Sequence, residues 1–363
     1  MRVAFVVPSL GPSEGQGRAN LAMLRAVVSA GHKVDVFAGN VPPEARAMAN
    51  VRLLPRLPAW QFGNQLLALA VTRGLIKRDR YDLIHADAAV SGARADAVVV
   101  HTVTARWLDL PARVWRGEGA RGLNEAVATR VKASLEISHA RAASVVAANS
   151  PQTAHDLISR GVAQEKIAIL PFGVDAERFR PATPAQRAAA RARFAIEPDA
   201  FVVAFVGPLG RRKGFDVALR ALAGSGDVLL AAGDHREPSL FDLARGITLR
   251  APGKIDDVRV VYAAADVLFY PSAYDGFGMA VLEAMASGLP VLVSTQTGSH
   301  PLVGDAGFTA DSTDADAFAD ALAALRADAS ARGAMGERAR ARAQDLSWDE
   351  TGATLLKLYQ RIA

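Results

Sequence analysis

Short apolar runs recur along the chain, separated by stretches in which apolar residues return every three or four positions. Residues 3–7, 34–38, 51–54, 83–85, 98–100, 144–148 and 167–170 have the content of strands. Between the first two, Leu21, Leu24 and Val28 share a helical face until Gly31 ends the run. Residues 65–78, 123–139 and 151–160 are the longer helical segments; Ser150 is placed to cap the last and Pro151 takes its first position. After residues 172–198 the pattern restarts with apolar runs at 201–206, 227–231, 247–249, 267–270 and 291–293, again separated by helices. Strands that are apolar throughout belong to parallel sheets covered on both faces. The pattern therefore predicts an α/β protein of two doubly wound domains, 1–175 and 176–345, with a last helical segment at 346–363. Residues 172–198, bordered by Pro171 and carrying Gly173, Pro181 and Pro184, are expected to form the hinge.

Composition agrees with two cores, since half of the 363 residues are apolar and 22% are charged. The absence of cysteine excludes disulfides, thiolate metal sites and a cysteine nucleophile. Met1 and Arg2 lead straight into the first strand without a small-residue cleavage site, and no apolar run approaches the ~18–20 residues of a bilayer span. A cytoplasmic protein, at most peripheral at the inner face of the membrane, is expected. Charge is uneven: residues 1–175 hold 21 Lys/Arg against 14 Asp/Glu, residues 176–363 hold 21 against 23. Either arginine is enriched by chance, or the first half meets something anionic. Nucleic acid is a poor partner, because no basic run is interleaved with aromatics. Arg52, Arg56, Arg73, Lys77, Arg78 and Arg80 flank residues 57–76, which contain Trp60, Phe62, Leu66, Leu67, Leu69 and Val71. That segment fits a helix lying on an anionic membrane, and equally a core-facing helix with solvated ends.

Ligands of parallel sheets bind outside the carboxyl ends of the strands, so the informative residues follow strands. Behind the first lies Pro8-Ser-Leu-Gly-Pro-Ser-Glu-Gly-Gln-Gly17, where Gly15 and Gly17 let backbone N–H groups approach an anion. The spacing does not meet a dinucleotide fingerprint. The second half opens alike, with Gly207-Pro-Leu-Gly-Arg-Arg-Lys-Gly214. Arg212 and Lys213 sit where a strand hands over to a helix, a place to neutralise a diphosphate, although paired cations on a loop are commonly solvated surface. The spacing of a P-loop is absent.

The segment 266–297 is the most informative. A strand leads into Pro271-Ser-Ala-Tyr-Asp-Gly-Phe-Gly278, then a helix from Met279 to Ser287, then another strand. Glu283 lies about 6 Å along that helix from Met279, at ~1.5 Å per residue. Free N–H groups at the helix start lie between Asp275 and Glu283. A nucleotide sugar has the same order: sugar hydroxyls, diphosphate, ribose hydroxyls. The plain alternative is that Asp275 shapes a turn and Glu283 sits on a helix face. Asp314-Ala-Asp316 reads as a helix cap rather than a metal motif, and His85 and Asp87, following another strand, lack an apparent third ligand.

Tyr274-Asp-Gly-Phe-Gly-Met-Ala-Val-Leu-Glu-Ala-Met-Ala-Ser-Gly-Leu-Pro-Val291 resembles the E-x7-E region of retaining GT-B glycosyltransferases of family 4, with Asp275 at the first Glu and Glu283 at the second. The same family is matched by the glycine loop with Arg18-Ala-Asn20 and Gly31-His-Lys-Val34, by Ala148-Asn-Ser150 through Ile167 to Gly173-Val-Asp175, by Arg212-Lys-Gly214, and by Val261-Tyr-Ala-Ala-Ala-Asp266 with Pro271-Ser272. Ser347-Trp348 and the helix through Tyr359 resemble its last helix, which crosses back onto the first domain. Pro208 stands where the family usually has Arg; a subset similar to lipopolysaccharide-core glucosyltransferases uses an Arg-Lys-Gly triplet instead. Asp275 is one methylene shorter than the usual Glu, and Gly298-Ser-His-Pro-Leu-Val303 lacks the family's later Glu and receives no role.

The resemblance implies a GT-B fold, two Rossmann-like domains facing across a cleft. It implies metal-independent transfer of a hexose-type sugar from a nucleotide sugar, expected to be UDP-linked, with retention, to a glycan, lipid-linked or small-molecule acceptor in bacterial cell-envelope polysaccharide synthesis. Gly207, Arg212 and Lys213 would belong to the diphosphate loop, Glu283 would bind ribose, Asp275 with the Gly276, Phe277 and Gly278 backbone would bind the sugar, and Met279 would also belong to the donor site. Gly15 and Gly17 would close on the donor from the other domain. His101, directly after the strand 98–100, would line the sugar site as catalytic support; a lone histidine there is otherwise more often structural. A sugar-nucleotide epimerase, or a non-catalytic nucleotide-sugar-binding protein, is the alternative on this architecture. Free UDP released from UDP-sugars, with and without acceptors, separates them.

Overall fold

Two parallel sheets organise the chain, one in each of two compact units. The computed structural model describes all residues except 12–14, 56–60, 88–89, 116–118, 236 and 363, and omits the side chains of 61–63, 65 and 119–121. Unit 1 comprises Met1–Asp109, Arg116–Gly173 and Ser347–Ala363; unit 2 comprises Leu110–Trp115 and Val174–Leu346.

Unit 1 holds β1 (Arg2–Val6), β2 (Lys33–Ala38), β3 (Asn50–Leu53), β4 (Leu83–Asp87), β5 (Ala97–Val100), β6 (Val145–Ala148) and β7 (Ile167–Ile169). Their order is β3-β2-β1-β4-β5-β6-β7, and Val3 of the parallel β1 faces Val34 on one side and Leu83 on the other. Unit 2 holds β8 (Val202–Val206), β9 (Val228–Ala232), β10 (Thr248–Gly253), β11 (Val267–Tyr270), β12 (Val291–Ser294) and β13 (Gly307–Ala310), in the order β10-β9-β8-β11-β12-β13. In both sheets the winding reverses once, between β1 and β4 and between β8 and β11. Crevices at such reversals are where doubly wound sheets bind ligands. The two doubly wound sheets expected from the apolar runs are both present.

The interiors follow from those runs. Val3, Ala4, Phe5 and Val6 of β1 are fully buried, as are Val203, Ala204 and Phe205 of β8. In unit 2, Phe205 meets Phe215 edge-on with centroids 5.4 Å apart, and Phe269 lies 4.8 Å from Phe318. β13 was not foreseen: Gly-Phe-Thr-Ala offers one bulky apolar residue, and as an edge strand it is only half-buried. The expected hinge also contains more order than its prolines suggested. Pro184–Arg193 is a helix, because proline suits a first helical position and Thr183 with Gln186 forms a capping box. Arg187 and Arg191 fasten it to Asp266 at 2.6 and 2.9 Å.

The C-terminal helix Trp348–Gln360 packs within unit 1 against the helix Gly15–Ser29. A Cβ added to Gly352 would lie 2.4 Å from that of Ala26, so the two helices approach at glycine distance. Tyr359 anchors the far end, its hydroxyl 2.8 Å from His85 Nδ1. His85 lies on β4, and burial pulls its imidazole down to about 4, so it is neutral at ordinary pH. It stacks 4.2 Å from Phe5. In the basic segment, the helix Gln61–Leu75 buries Ala68 and Thr72 while Leu66 and Leu75 are exposed. Arg56 and Trp60, and the side chain of Phe62, lie outside the described residues. Among the described residues no helix is long and apolar enough to cross a membrane.

Candidate active site

The reversal point of the second sheet gathers the residues that the sequence placed after β8 and β11. Past β8, the chain makes a short 3-10 turn, Arg211–Lys213, and ends it at Gly214. Gly214 has φ +75°, and a Cβ there would sit 2.0 Å from the Pro271 carbonyl oxygen, so only glycine lets this turn lie on the β11 loop. The Arg212 carbonyl accepts from Ala273 N at 3.0 Å and Ser272 Oγ at 3.1 Å. Of the three cations, Arg211 is committed elsewhere, to Glu237. Lys213 reaches across the joint and donates to the Tyr270 hydroxyl at 2.6 Å and to Asp275 Oδ2.

Asp275 is thus the centre of a cluster rather than a carboxylate standing alone. Its Oδ2 also accepts from the Tyr270 hydroxyl at 2.5 Å, and its Oδ1 from Phe277 N at 3.2 Å. Burial pushes its carboxyl up, but Lys213, Tyr270 and Arg212 outweigh that and hold it down at about 2. Burial draws Lys213 below its ordinary value, with Asp275 opposing. The backbone of Asp275 bridges to the segment after β12: its N–H donates to Gln296 O at 3.1 Å, and its carbonyl accepts from Gly298 N at 2.9 Å. The loop containing Gly298, which has no role legible in its sequence, therefore fixes the position of Asp275.

Gly276 and Phe277 continue to Gly278, which at φ +84° opens the helix Met279–Ala286. The first turn of a helix leaves backbone N–H groups without intrahelical partners, a ready anion site beside Lys213's loop. Glu283, one turn in, is only 2% exposed, and its Oε2 accepts from the buried Tyr262 hydroxyl at 3.2 Å. Gly207 ends β8 with φ +143°.

The reversal point of the first sheet carries His101. Its Nε2 lies 3.1 Å from Asp87 Oδ1 and 3.2 Å from Asn20 Oδ1. Asn20 spends its amide N–H groups on Asp87 Oδ2 at 2.9 Å and Ser9 O at 3.1 Å, so its Oδ1 is an acceptor. Two acceptors at Nε2 assign the proton there and leave Nδ1 with the lone pair in the neutral ring. His101 Nδ1 is buried and has no hydrogen-bond partner among the described residues. Burial raises the Asp87 carboxyl, but His101 and Asn20 outweigh it and hold it below its ordinary range. Gln16 Nε2 adds a bond to Asp87 Oδ2 at 3.0 Å. The main chain of His101 is tied too: its carbonyl accepts from Asn149 Nδ2 at 2.8 Å. Three residues on, Thr104 N and Oγ1 donate to the buried Glu136 at 2.7 and 2.8 Å.

Asp87 and His85 do not follow a strand, as the sequence suggested; they lie within β4, whose pairing extends to Asp87 because β5 runs alongside it. From sequence Asp87 reads only as a candidate metal ligand; in the structure it is the partner of His101. The signal was there: Asp87 ends the strand beside the reversal point. Among the described residues no group of three His, Asp or Glu side chains is arranged for a metal. Asp314 accepts from Ala317 N at 3.0 Å, the cap foreseen for it. Gly15 and Gly17 lie in the first turn of the helix Gly15–Ser29, where Gly17 packs so closely that an added Cβ would stand 2.1 Å from the Gly11 carbonyl oxygen. Residues 12–14 of the glycine loop lie outside the described residues.

Comparison with known proteins points the same way. Residues 13–178 match the family described as Glycosyltransferase Family 4, and residues 200–328 match Glycosyl transferases group 1. A D-inositol 3-phosphate glycosyltransferase of Salinispora tropica is 30% identical over 97% of this chain and 82% of its own length. Three solved structures share the fold. Sucrose-phosphate synthase from Thermosynechococcus elongatus has a TM-score of 0.80 at 22% identity, covering 100% of this chain and 99% of its own. WaaG, a glycosyltransferase involved in lipopolysaccharide biosynthesis, has a TM-score of 0.75 at 21% identity, covering 97% and 98%. Anabaena Alr3699/HepE, in complex with UDP-glucose, has a TM-score of 0.73 at 19% identity, covering 99% and 100%. With two doubly wound sheets, an acid–base cluster at each reversal point and a 30% identical relative aligned over 97% of this chain, the chain belongs to glycosyltransferase family 4 and is a GT-B glycosyltransferase.

Proposed function

We propose that this glycosyltransferase moves a hexose from a UDP-linked donor to a phosphorylated polyol, with retention and without a metal. The observation that carries the donor half is the Lys213–Tyr270–Asp275 cluster laid against the start of the helix Met279–Ala286, with Glu283 one turn further in. On this reading the diphosphate takes Arg212, Lys213 and the first-turn N–H groups. They stabilise charge that grows as the diphosphate leaves, which is where fixed donors act most strongly. Glu283, steadied by Tyr262, takes the ribose hydroxyls. Asp275 and the backbone from Gly276 to Met279 take the sugar, and His101, its ring clamped by Asp87, is the proposed catalytic support. UDP-glucose bound to the structurally similar Anabaena protein supports the nucleotide.

For the acceptor, the Salinispora relative supports an inositol phosphate, and the excess of 21 cations over 14 anions in residues 1–175 suits an anionic substrate. Likeness to WaaG keeps a cell-envelope setting within the proposal. The test incubates the protein with UDP-glucose or UDP-N-acetylglucosamine, with and without D-inositol 3-phosphate, and follows UDP and the anomeric proton of the product. Acceptor-dependent UDP release with an α-linked product is expected. A saturating donor that yields no new glycoside with this or any lipid-linked or glycan acceptor would sink the reading.

A further inference from the structure

Unit 2 contains a cavity of about 420 Å³ on the side of the helices Pro184–Arg193 and Arg259–Ala264, bordered by the segment from Arg178 to Ala182. Four arginines line it, Arg178, Arg180, Arg193 and Arg259. Asp257, the one carboxylate in the wall, forms its ion pair with Arg259 at 2.6 Å, and the charge of Arg178 also helps to hold its carboxyl down. Among the described residues no carboxylate forms an ion pair with Arg178, Arg180 or Arg193. Elsewhere in unit 2 several arginines are matched: Arg187 and Arg191 share Asp266, Arg211 holds Glu237, Arg326 holds Asp227, and Arg342 holds Asp305. Two of the three unmatched groups lie near neighbouring rings, Arg178 over Phe179 at 5.7 Å and Arg193 over Phe194 at 5.8 Å, which restricts them without neutralising them.

We propose that this cavity binds a phosphate-bearing anion. Four arginines against one carboxylate leave the concavity with excess positive charge until an anion enters, and the planar guanidinium forks match phosphate oxygens in pairs. The volume is that of a small-molecule site, within the usual ~300–1,000 Å³. None of the wall belongs to the loops after β8 or β11, but one part of it touches the donor site from behind. Tyr262 lines the cavity, and its hydroxyl reaches Glu283 Oε2 at 3.2 Å and Ala280 O at 3.3 Å. Phe179 packs edge-on against Tyr262 with centroids 6.2 Å apart, and Arg178 lies over Phe179. An anion that draws Arg178 inward therefore presses on the ring pair that steadies Glu283. Occupation of the cavity and of the nucleotide site is coupled, and each ligand changes the affinity of the other by the same factor.

The probe is inorganic phosphate, titrated at constant ionic strength into protein saturated with UDP so that the donor loops are filled. The melting temperature of the wild type is expected to rise, and separate UDP titrations with and without phosphate should show UDP affinity shifted by about fivefold, the lower end of typical coupling. In the variant Arg178→Ala, Arg180→Ala, Arg193→Ala both responses should vanish, while the stabilisation by UDP alone, which reports the fold, remains. These arginines are exposed, so their removal leaves the core intact. Sedimentation with phosphatidic acid vesicles distinguishes the source: binding lost in the variant, without a free-phosphate response, assigns the phosphate to a lipid headgroup. Equal responses of wild type and variant, or no response to either probe, overturn the proposal. Failure of the donor reading is seen separately, as the absence of any response when UDP alone is titrated, and the phosphate response is then read without UDP.

Discussion

Replacing Lys213 by Ala removes one cation from two tasks, and the structure allows them to be measured apart. The side chains of Lys213 and Asp275 are 12% and 17% exposed. Truncating one partner of a buried pair costs ~3–5 kcal/mol because the other is left as an orphan charge; residual water contact puts this pair at the lower end, ~3 kcal/mol. In a unit of this size that is a fall in Tm of ~6–12 °C. With the Asp275 carboxyl depressed to about 2, its stabilisation is present above the ordinary 3.8 and is lost only as pH falls through about 2. The catalytic task is separate. A preorganised donor aimed at developing charge is worth ~10²–10³ in rate, so kcat should fall by that factor. Adding Asp275→Asn removes the orphan charge. The double variant should regain most of the lost Tm, measured by scanning calorimetry on each unit's transition, and none of the lost kcat. A double variant that recovered both would reduce Lys213 to a counter-ion for Asp275. A single variant within about twofold of wild-type kcat would place the diphosphate elsewhere.

Asp87→Asn keeps the shape of the His101 clamp but removes its charge. A loss of ~10–100-fold in kcat with little change in the donor KM is expected, as for other orienting partners, whereas unchanged kcat would leave Asp87 a structural carboxylate. Glu136 is pushed up to about 7 by burial, against the lowering effect of Lys132 and Thr104. For a raised carboxyl, stability is greatest below the ordinary value of 4.5 and is lost as pH rises through about 7, by up to ~3 kcal/mol. Glu136→Gln should therefore flatten the decline in Tm between about pH 5 and about pH 8.5, and parallel curves for both proteins would refute this. Turnover should survive EDTA, because Arg212, Lys213 and the helix start supply the positive field; loss in chelator that Mg²⁺ or Mn²⁺ restores would contradict it. If the basic segment around the helix Gln61–Leu75 meets a membrane, the protein should sediment with anionic but not neutral vesicles, and less so as salt shortens the Debye length from ~10 Å at 0.1 M to ~3 Å at 1 M.

The sequence by itself determined the sheets, because a strand buried on both faces must be apolar throughout, and runs such as Val202–Val206 and Val291–Ser294 have no other stable use. It also determined which loops carry chemistry, since doubly wound sheets leave only their carboxyl edge for ligands. Local signals sufficed for Ser150 and Asp314, whose caps depend on neighbours three residues away. The same reading failed where a residue's meaning is set by a distant partner. Proline at 184 reads as a break and serves as a helix start, and β13 exists because β12 offers it an edge. Tyr270 reads as the end of a strand; only the fold lays its hydroxyl between Lys213 and Asp275, residues 57 and 5 positions away. Asp87 and His101, on neighbouring strands, become one unit through β4–β5 pairing and Asn20. Periodicity reports which way a side chain faces, in or out. Which partner it meets there, and so whether it is charged, clamped or free to react, depends on loops brought together from far along the chain, and that only the tertiary structure decided.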